Sequence, residues 1–176
     1  TYNISPELLE DAIKQVIEKG ELTPKVIIPV DLFGLPADYA AIELISAKYG
    51  IKVLEDAAQG FGGQIDGRMA GSFGDAASTS FFPAKPLGCY GDGGAIFTDD
   101  DDFYEKLVSV RVHGKGGDKY DNIRIGLNGR MDTLQAAIVL EKFTLFPGEV
   151  TLRNEVAAKY NELLSDRVVV PEVASG

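Results

Sequence analysis

The chain has 176 residues, 45% of them hydrophobic and 25% charged, with 17 Lys and Arg against 27 Asp and Glu for a net charge of −10. That length suits one domain with a real core; no apolar run approaches the ~20 residues of a bilayer-spanning helix, and an acidic chain whose cations are scattered argues against membrane and nucleic-acid partners. One cysteine and one histidine exclude an internal disulfide framework and Cys- or His-rich metal clusters, a composition that suits a reducing cytoplasm.

The first helix is expected to start at Ser5, with Pro6 in its first turn. Leu8, Leu9, Ala12, Ile13, Val16 and Ile17 form one apolar face before Gly20, and that face is expected to pack on a sheet. The run KVIIPV, residues 25–30, reads as a parallel strand covered on both faces, with Pro29 near its end. After the loop DLFGLPAD, a helix from Asp38 to Tyr49 stops at Gly50, and the strand IKVLE leads into Asp56. This completes a βαβ unit. AASTSF and GGAIFT read as further short strands, and the acidic run Asp99 to Asp102 opens another helix, where negative charge suits the N-terminal dipole.

Residues 113–130, HGKGGDKYDNIRIGLNGR, have no period and read as a long surface loop. MDTLQAAIVLEKF and GEVTLRNEVAAKYNELLSD follow as helices, and RVVVPEV reads as a closing strand with Pro171 near its end. Alternating strands and helices predict an α/β fold, a three-layer αβα sandwich around a mostly parallel sheet. The start at Thr1 without a methionine and the end at VVVPEVASG, just after that strand, lead to the expectation of a piece of a longer protein.

Ligands of such sheets bind beyond the carboxyl ends of the strands. Asp31, the pair Asp56 and Gln59, and the segment from Ser80 to Lys85 occupy such positions. A lysine amine and a carboxylate at one sheet edge suit several chemistries, a Schiff-base lysine facing a pyridinium partner among them, and spacing alone does not choose. A dinucleotide fingerprint fails at both glycine clusters: Gly60-Phe61-Gly62 reaches Ile65 at the third position, and Gly91-Asp92-Gly93 reaches Ile96. No Walker-type phosphate loop is present. By itself GDGGA reads as a tight turn with close backbone approach.

EDAAQG at Glu55 to Gly60, SFFPAKPLGCYGDGGAIFT at Ser80 to Thr98, and GLNGRMDTLQAA at Gly126 to Ala137 together resemble the DegT/DnrJ/EryC1/StrS family of sugar aminotransferases. Within it, the lysine segment most resembles enzymes that aminate a UDP-linked 3-keto-2-acetamido uronic acid. The resemblance implies the large domain of fold type I, the aspartate aminotransferase-like fold, over residues 1–146, with residues 147–176 leading toward a small C-terminal domain. It implies pyridoxal 5′-phosphate (PLP) as cofactor, an amino donor, glutamate by preference, and a keto-sugar nucleotide as substrates, and a homodimer with shared active sites. It carries a further link to lipopolysaccharide or other surface-glycan synthesis.

On the same resemblance Lys85 is the lysine that bonds the cofactor and later shuttles a proton, and Asp56 the carboxylate that pairs with the pyridine nitrogen. Ala58 and Gln59 lie beside the ring, Gln59 at its 3′-oxygen. Ser80, rather than its neighbour Ser78, donates to the phosphate, and Asn128 reaches the phosphate of the partner subunit. His113 is read as a structural residue at a helix end. Asp31 and Asp92 depart from the histidine and glutamate of many relatives, which leaves substrate contacts near them open. The family's phosphate-holding Gly/Thr turn and ring-stacking aromatic have no counterpart in the chain. A sugar dehydratase of the same family carries histidine in place of the lysine, so Lys85 argues against it; an inert or binding-only module of the same fold stays open as the alternative.

Overall fold

The computed structural model describes residues 1–118 and 120–171. Helix α1 (Pro6–Lys19) begins as its sequence dictates: the Ser5 side chain accepts the Leu8 N–H, and Gly20, at φ 67°, closes the other end with its N–H on the carbonyls of Val16 and Ile17. Helix α2 (Tyr39–Tyr49) is capped by Asp38, whose carboxylate accepts the Ala41 N–H, and ends at left-handed Gly50. Between them lies the short strand β1 (Val26–Ile27), and after them β2 (Lys52–Asp56).

The main sheet runs in the order β1, β2, β5 (Ala76–Ser80), β6 (Gly94–Phe97). The first three strands are parallel and β6 is antiparallel to β5. The fold is therefore α/β with a mostly parallel, mixed sheet, as the alternation of elements predicts. A two-stranded hairpin, β3 (Gln64–Ile65) and β4 (Arg68–Met69), was not legible in the apolar pattern. Its signal is the Asp66-Gly67 dipeptide, both residues at positive φ, which is what a tight hairpin turn demands. Helices α3 (Asp101–Arg111), α4 (Thr133–Phe143) and α5 (Phe146–Leu164) complete the described fold. Asp100 caps α3 by accepting the Phe103 N–H.

Strand register decides what each face carries. Val26 pairs with Lys52, Leu54 with Ala76, Asp56 with Ser78, and Ser78 with Ile96, so these residues share one face. Ile27, Val53, Glu55, Ala77 and Thr79 share the other, which is buried. Ile13, Tyr39, Ile42 and Phe73 pack over it with Ile27 and Val53. Phe73 stacks on Tyr39 at 4.3 Å, and the Arg68 guanidinium lies on the far side of Phe73. A second cluster joins Phe81, Leu87 and Cys89 to Val139 of α4 and Phe146 of α5.

Several expectations are corrected. Val26, Ile28 and Val30 are exposed, so β1 is covered on one face rather than on both. On α1 only Ile13 is buried, while Leu8 and Ile17 lie open, because α1 packs chiefly beside α2 rather than flat on the sheet. The segment at 113–130 is more ordered than a plain loop, pinned by the antiparallel bridges Val112 to Asn128 and Lys115 to Asn122. Residues 167–171 form the end of a turn, a bend and irregular chain rather than a strand, and the rest of that expected strand lies outside the described residues.

Candidate active site

The parallel strands β1, β2 and β5 end on one edge of the sheet, and each delivers a polar residue there: Asp31, Asp56 and Ser80. Alternation puts Asp56, Ser78 and Ser80 on the open face. The edge is fixed by the main chain. Asp56 N–H donates to the Pro29 carbonyl at 2.9 Å, Ala57 N–H to Ser78 at 2.8 Å, and Thr79 Oγ1 to Ala57 at 3.1 Å.

Asp56 is half-buried. Its Oδ1 accepts the Ala58 N–H at 3.0 Å, which orients the carboxylate, and no hydrogen bond among the described residues uses Oδ2. Gln59 Oε1 accepts the Phe33 N–H at 2.9 Å, which leaves its amide nitrogen available. Ser80 Oγ accepts the Phe82 N–H at 3.2 Å, so its own proton is free to be donated outward. Ser78 Oγ instead donates to the Glu55 carbonyl at 3.5 Å. The two serines thus differ in their partners: Ser78 is turned to the main chain, and Ser80 keeps its proton.

Lys85 sits in the excursion between β5 and β6. Its backbone N–H donates to the Phe82 carbonyl at 2.9 Å. The excursion is clamped at both ends: Phe81 N–H to Gly93, Cys89 N–H to Phe81, Tyr90 N–H to Gln135 of α4, and the Lys142 ammonium to the Gly88 carbonyl. Lys85 is half-buried as a residue, and its amine has no hydrogen bond or ion pair among the described residues. Phe82 and Pro83, which precede it, are exposed. The glycine run after it serves the protein's own packing: a Cβ on Gly94 would lie 2.7 Å from the Thr79 carbonyl, and one on Gly93 would lie 2.8 Å from Met131 Cε.

Asn128 is exposed, accepts from Arg130 Nε at 2.9 Å, and has no hydrogen bond to the sheet-edge group among the described residues. His113 follows α3 in a left-handed conformation (φ 60°), its N–H on the Leu127 carbonyl and its ring exposed, in keeping with a structural role. Asp92 is exposed. Asp31 is completely buried, so it does not face a substrate. The residue that sequence reading missed is Glu55, also fully buried; two consecutive acids closing an apolar strand were its signal, because alternation sends one of them inward.

The DegT/DnrJ/EryC1/StrS aminotransferase family model matches residues 1–175. The chain belongs to this family. It is 51% identical over 163 residues to the UDP-2-acetamido-2-deoxy-3-oxo-D-glucuronate aminotransferase of Pseudomonas aeruginosa, covering 92% of this chain and 43% of that protein. A crystal structure of a family aminotransferase from Brucella abortus superposes with a TM-score of 0.98 at 53% identity, over 99% of this chain and 47% of the other. The NtdA structure of Bacillus subtilis, described with bound cofactor PMP, gives a TM-score of 0.79 at 34% identity, over 94% and 36%. The chain thus spans less than half the length of these relatives.

The donor set of this DegT-family chain fits pyridoxal 5′-phosphate. The cofactor needs an amine for its aldehyde, an anion for its ring nitrogen and donors for its phosphate. An unpaired lysine, a carboxylate with one free oxygen, and a hydroxyl with a free proton stand after β5, on β2 and on β5. Lys85, Asp56 and Ser80 are the residues that could hold it.

Proposed function

We propose that this chain is the central part of a PLP-dependent sugar-nucleotide aminotransferase, which moves an amino group from glutamate to a UDP-linked 3-keto sugar. The observation that carries the reading is the unpaired Lys85 amine placed just beyond the strand whose open face bears Ser80 and, one strand over, Asp56. Likeness to the uronate aminotransferase of Pseudomonas aeruginosa supports the sugar class.

When bound, PLP supplies an electron sink that lets a carbon next to nitrogen lose and regain a proton. The residues do the rest. Lys85 would hold the cofactor through its amine, and the same amine, when free, would serve as the acid–base group that moves the proton. Asp56 would pair with the ring nitrogen; its side chain is already oriented by the Ala58 N–H. Gln59 would offer its unused amide nitrogen to the cofactor ring, and Ser80 its hydroxyl proton to the phosphate.

We further infer a homodimer in which Asn128 serves the partner's phosphate site, a boundary after residue 146 between the large domain and what leads to a small one, and a place in surface-glycan synthesis. The exposed position of Asn128 on a pinned ribbon supports the first of these.

Incubation with PLP followed by borohydride tests the assignment. A visible absorbance and a fixed adduct on the peptide carrying Lys85 are expected; a colourless chain with no adduct at saturating PLP overturns the cofactor reading. Isotope transfer from 15N-glutamate to a panel of keto-sugar nucleotides tests the substrate, and preference for a sugar lacking a 3-keto group would overturn that part.

A further inference from the structure

Strand β2 ends on two consecutive acids, and only Asp56 has a task in the proposed chemistry. Glu55 points into the covered side and is fully buried, with no ion pair among the described residues. Its Oε1 accepts the Gly71 N–H at 2.6 Å and its Oε2 the Phe73 N–H at 2.8 Å. From the end of β1, the equally buried Asp31 directs Oδ1 to the Ala37 N–H at 3.1 Å and the Tyr39 hydroxyl at 2.8 Å. Its Oδ2 has no donor, although it is sealed from water. Val30 bridges Asp56 in parallel register, so Asp31 and Glu55 stand side by side on the same buried face at the ends of adjacent strands.

Two adjacent, fully buried carboxyl groups without a cation would be too costly to keep both charges. Burial pushes both carboxyls upward, Glu55 to about 7. The donors decide where the proton sits. Both Glu55 oxygens already accept an N–H, which favours its anion, whereas Asp31 Oδ2 is the atom that a proton would complete. The charged and titratable groups around the pair are Asp56 on β2 and Tyr39 on α2; burial drives the Tyr39 hydroxyl upward, so it remains a donor. Arg68 of β4 is turned to Glu43 and the outer face of Phe73.

The pair also touches the candidate site. Asp31 N–H donates to the Asp56 carbonyl at 3.0 Å. A Cβ on Gly60, the residue after Gln59, would lie 2.5 Å from Asp31 Cβ and 2.7 Å from Oδ2, so the 57–60 turn rests directly on that carboxyl. The turn after Asp31 supplies the Phe33 N–H that Gln59 accepts.

We propose that Asp31 and Glu55 share one proton, donated from Asp31 Oδ2 to Glu55, and that this pair is the positioning element for Asp56 and Gln59. The roles it serves rest on the proposed function; the shared proton does not. Loss of the proton sets two anions against each other under the turn and shifts both site residues.

Infrared spectra and backbone amide NMR of the chain, recorded against pH, test it without cofactor. A protonated-carboxyl carbonyl band should persist above the ordinary carboxylate range and fade as pH is raised further, and the amide shifts of residues 56–60 should titrate with it. Asp31→Asn keeps the Oδ1 acceptor and gives Glu55 an N–H in place of the proton. It should fold, lose the band, and leave those amides flat; PLP affinity, which should weaken severalfold across the transition in the natural chain, should vary less than about twofold in the variant. Glu55→Gln cannot accept both backbone N–H groups and should be the less stable variant. Absence of the band, or its survival in Asp31→Asn, overturns the shared proton; amides of 56–60 that titrate alike in both chains overturn the positioning. Failure of the natural chain to bind PLP would count against the proposed function and leave these spectra unaffected.

Discussion

Glu55 and Asp56 are neighbours in the chain and stand on opposite faces of one strand: Glu55 is sealed in the core, accepting two backbone N–H groups, and Asp56 lies on the open face beside Ser78. That one-residue alternation separates the structural acid from the chemical one. Exchange of their roles would need a register slip of the whole strand.

Asp56→Ala should still allow the cofactor to attach at Lys85, because the amine is untouched. The proton shift should slow by about a thousandfold, within the range of a lost acid–base or electrostatic group. Borohydride trapping and single-turnover absorbance read the two effects separately, and near-normal turnover would count against a pyridinium partner.

Lys85→Arg keeps the charge at a half-buried, unpaired position. Stability should stay within about 0.5 kcal/mol while covalent capture of PLP disappears. A large fall in melting temperature would show instead that the amine is structural.

Ser80→Ala removes one donor to a doubly charged group, worth about 1.5–3 kcal/mol, so the Kd for PLP should rise roughly tenfold or more. Ser78→Ala should leave it nearly unchanged, since that hydroxyl is turned to the Glu55 carbonyl. Fluorescence titration compares them; equal losses would contradict the division of roles.

Gly60→Ala brings a methyl group against the Asp31 carboxyl, where nothing can give because that carboxyl is held by Ala37 and Tyr39. A loss of about 1–3 kcal/mol is expected by denaturant titration. A neutral effect would mean that the turn relaxes easily.

Acid should loosen α1 from α2. The Lys48 ammonium, at 2.5 Å, and then the Tyr49 hydroxyl, at 2.9 Å, hold the Glu10 carboxyl down to about 2. A lowered folded value means that the contribution is present above the ordinary carboxylate range and is lost as pH falls through about 2. Glu10→Gln should therefore melt slightly lower at neutral pH, with the gap closing in acid; a gap that is independent of pH would assign the effect to packing.

Local order was written plainly in the chain. Ser5, Asp38 and Asp100 cap their helices, and Gly20 and Gly50 stop theirs, because capping is a contact between residues three or four apart. Asp66-Gly67 encoded a hairpin in the same short-range way, although the apolar pattern around it was too brief to show. Lys85, Asp56 and Ser80 were legible through their motifs, and the family followed from those motifs in order. What alternation along one strand cannot say is which face will be covered. Only the pairing of β1, β2 and β5 decided that Asp56 and Ser80 share the open side, that Val26 and Ile28 are bare there, and that Asp31 meets Glu55 inside. Those facts depend on residues distant in sequence coming to adjacent places, and a linear pattern holds no record of which strand lies next to which.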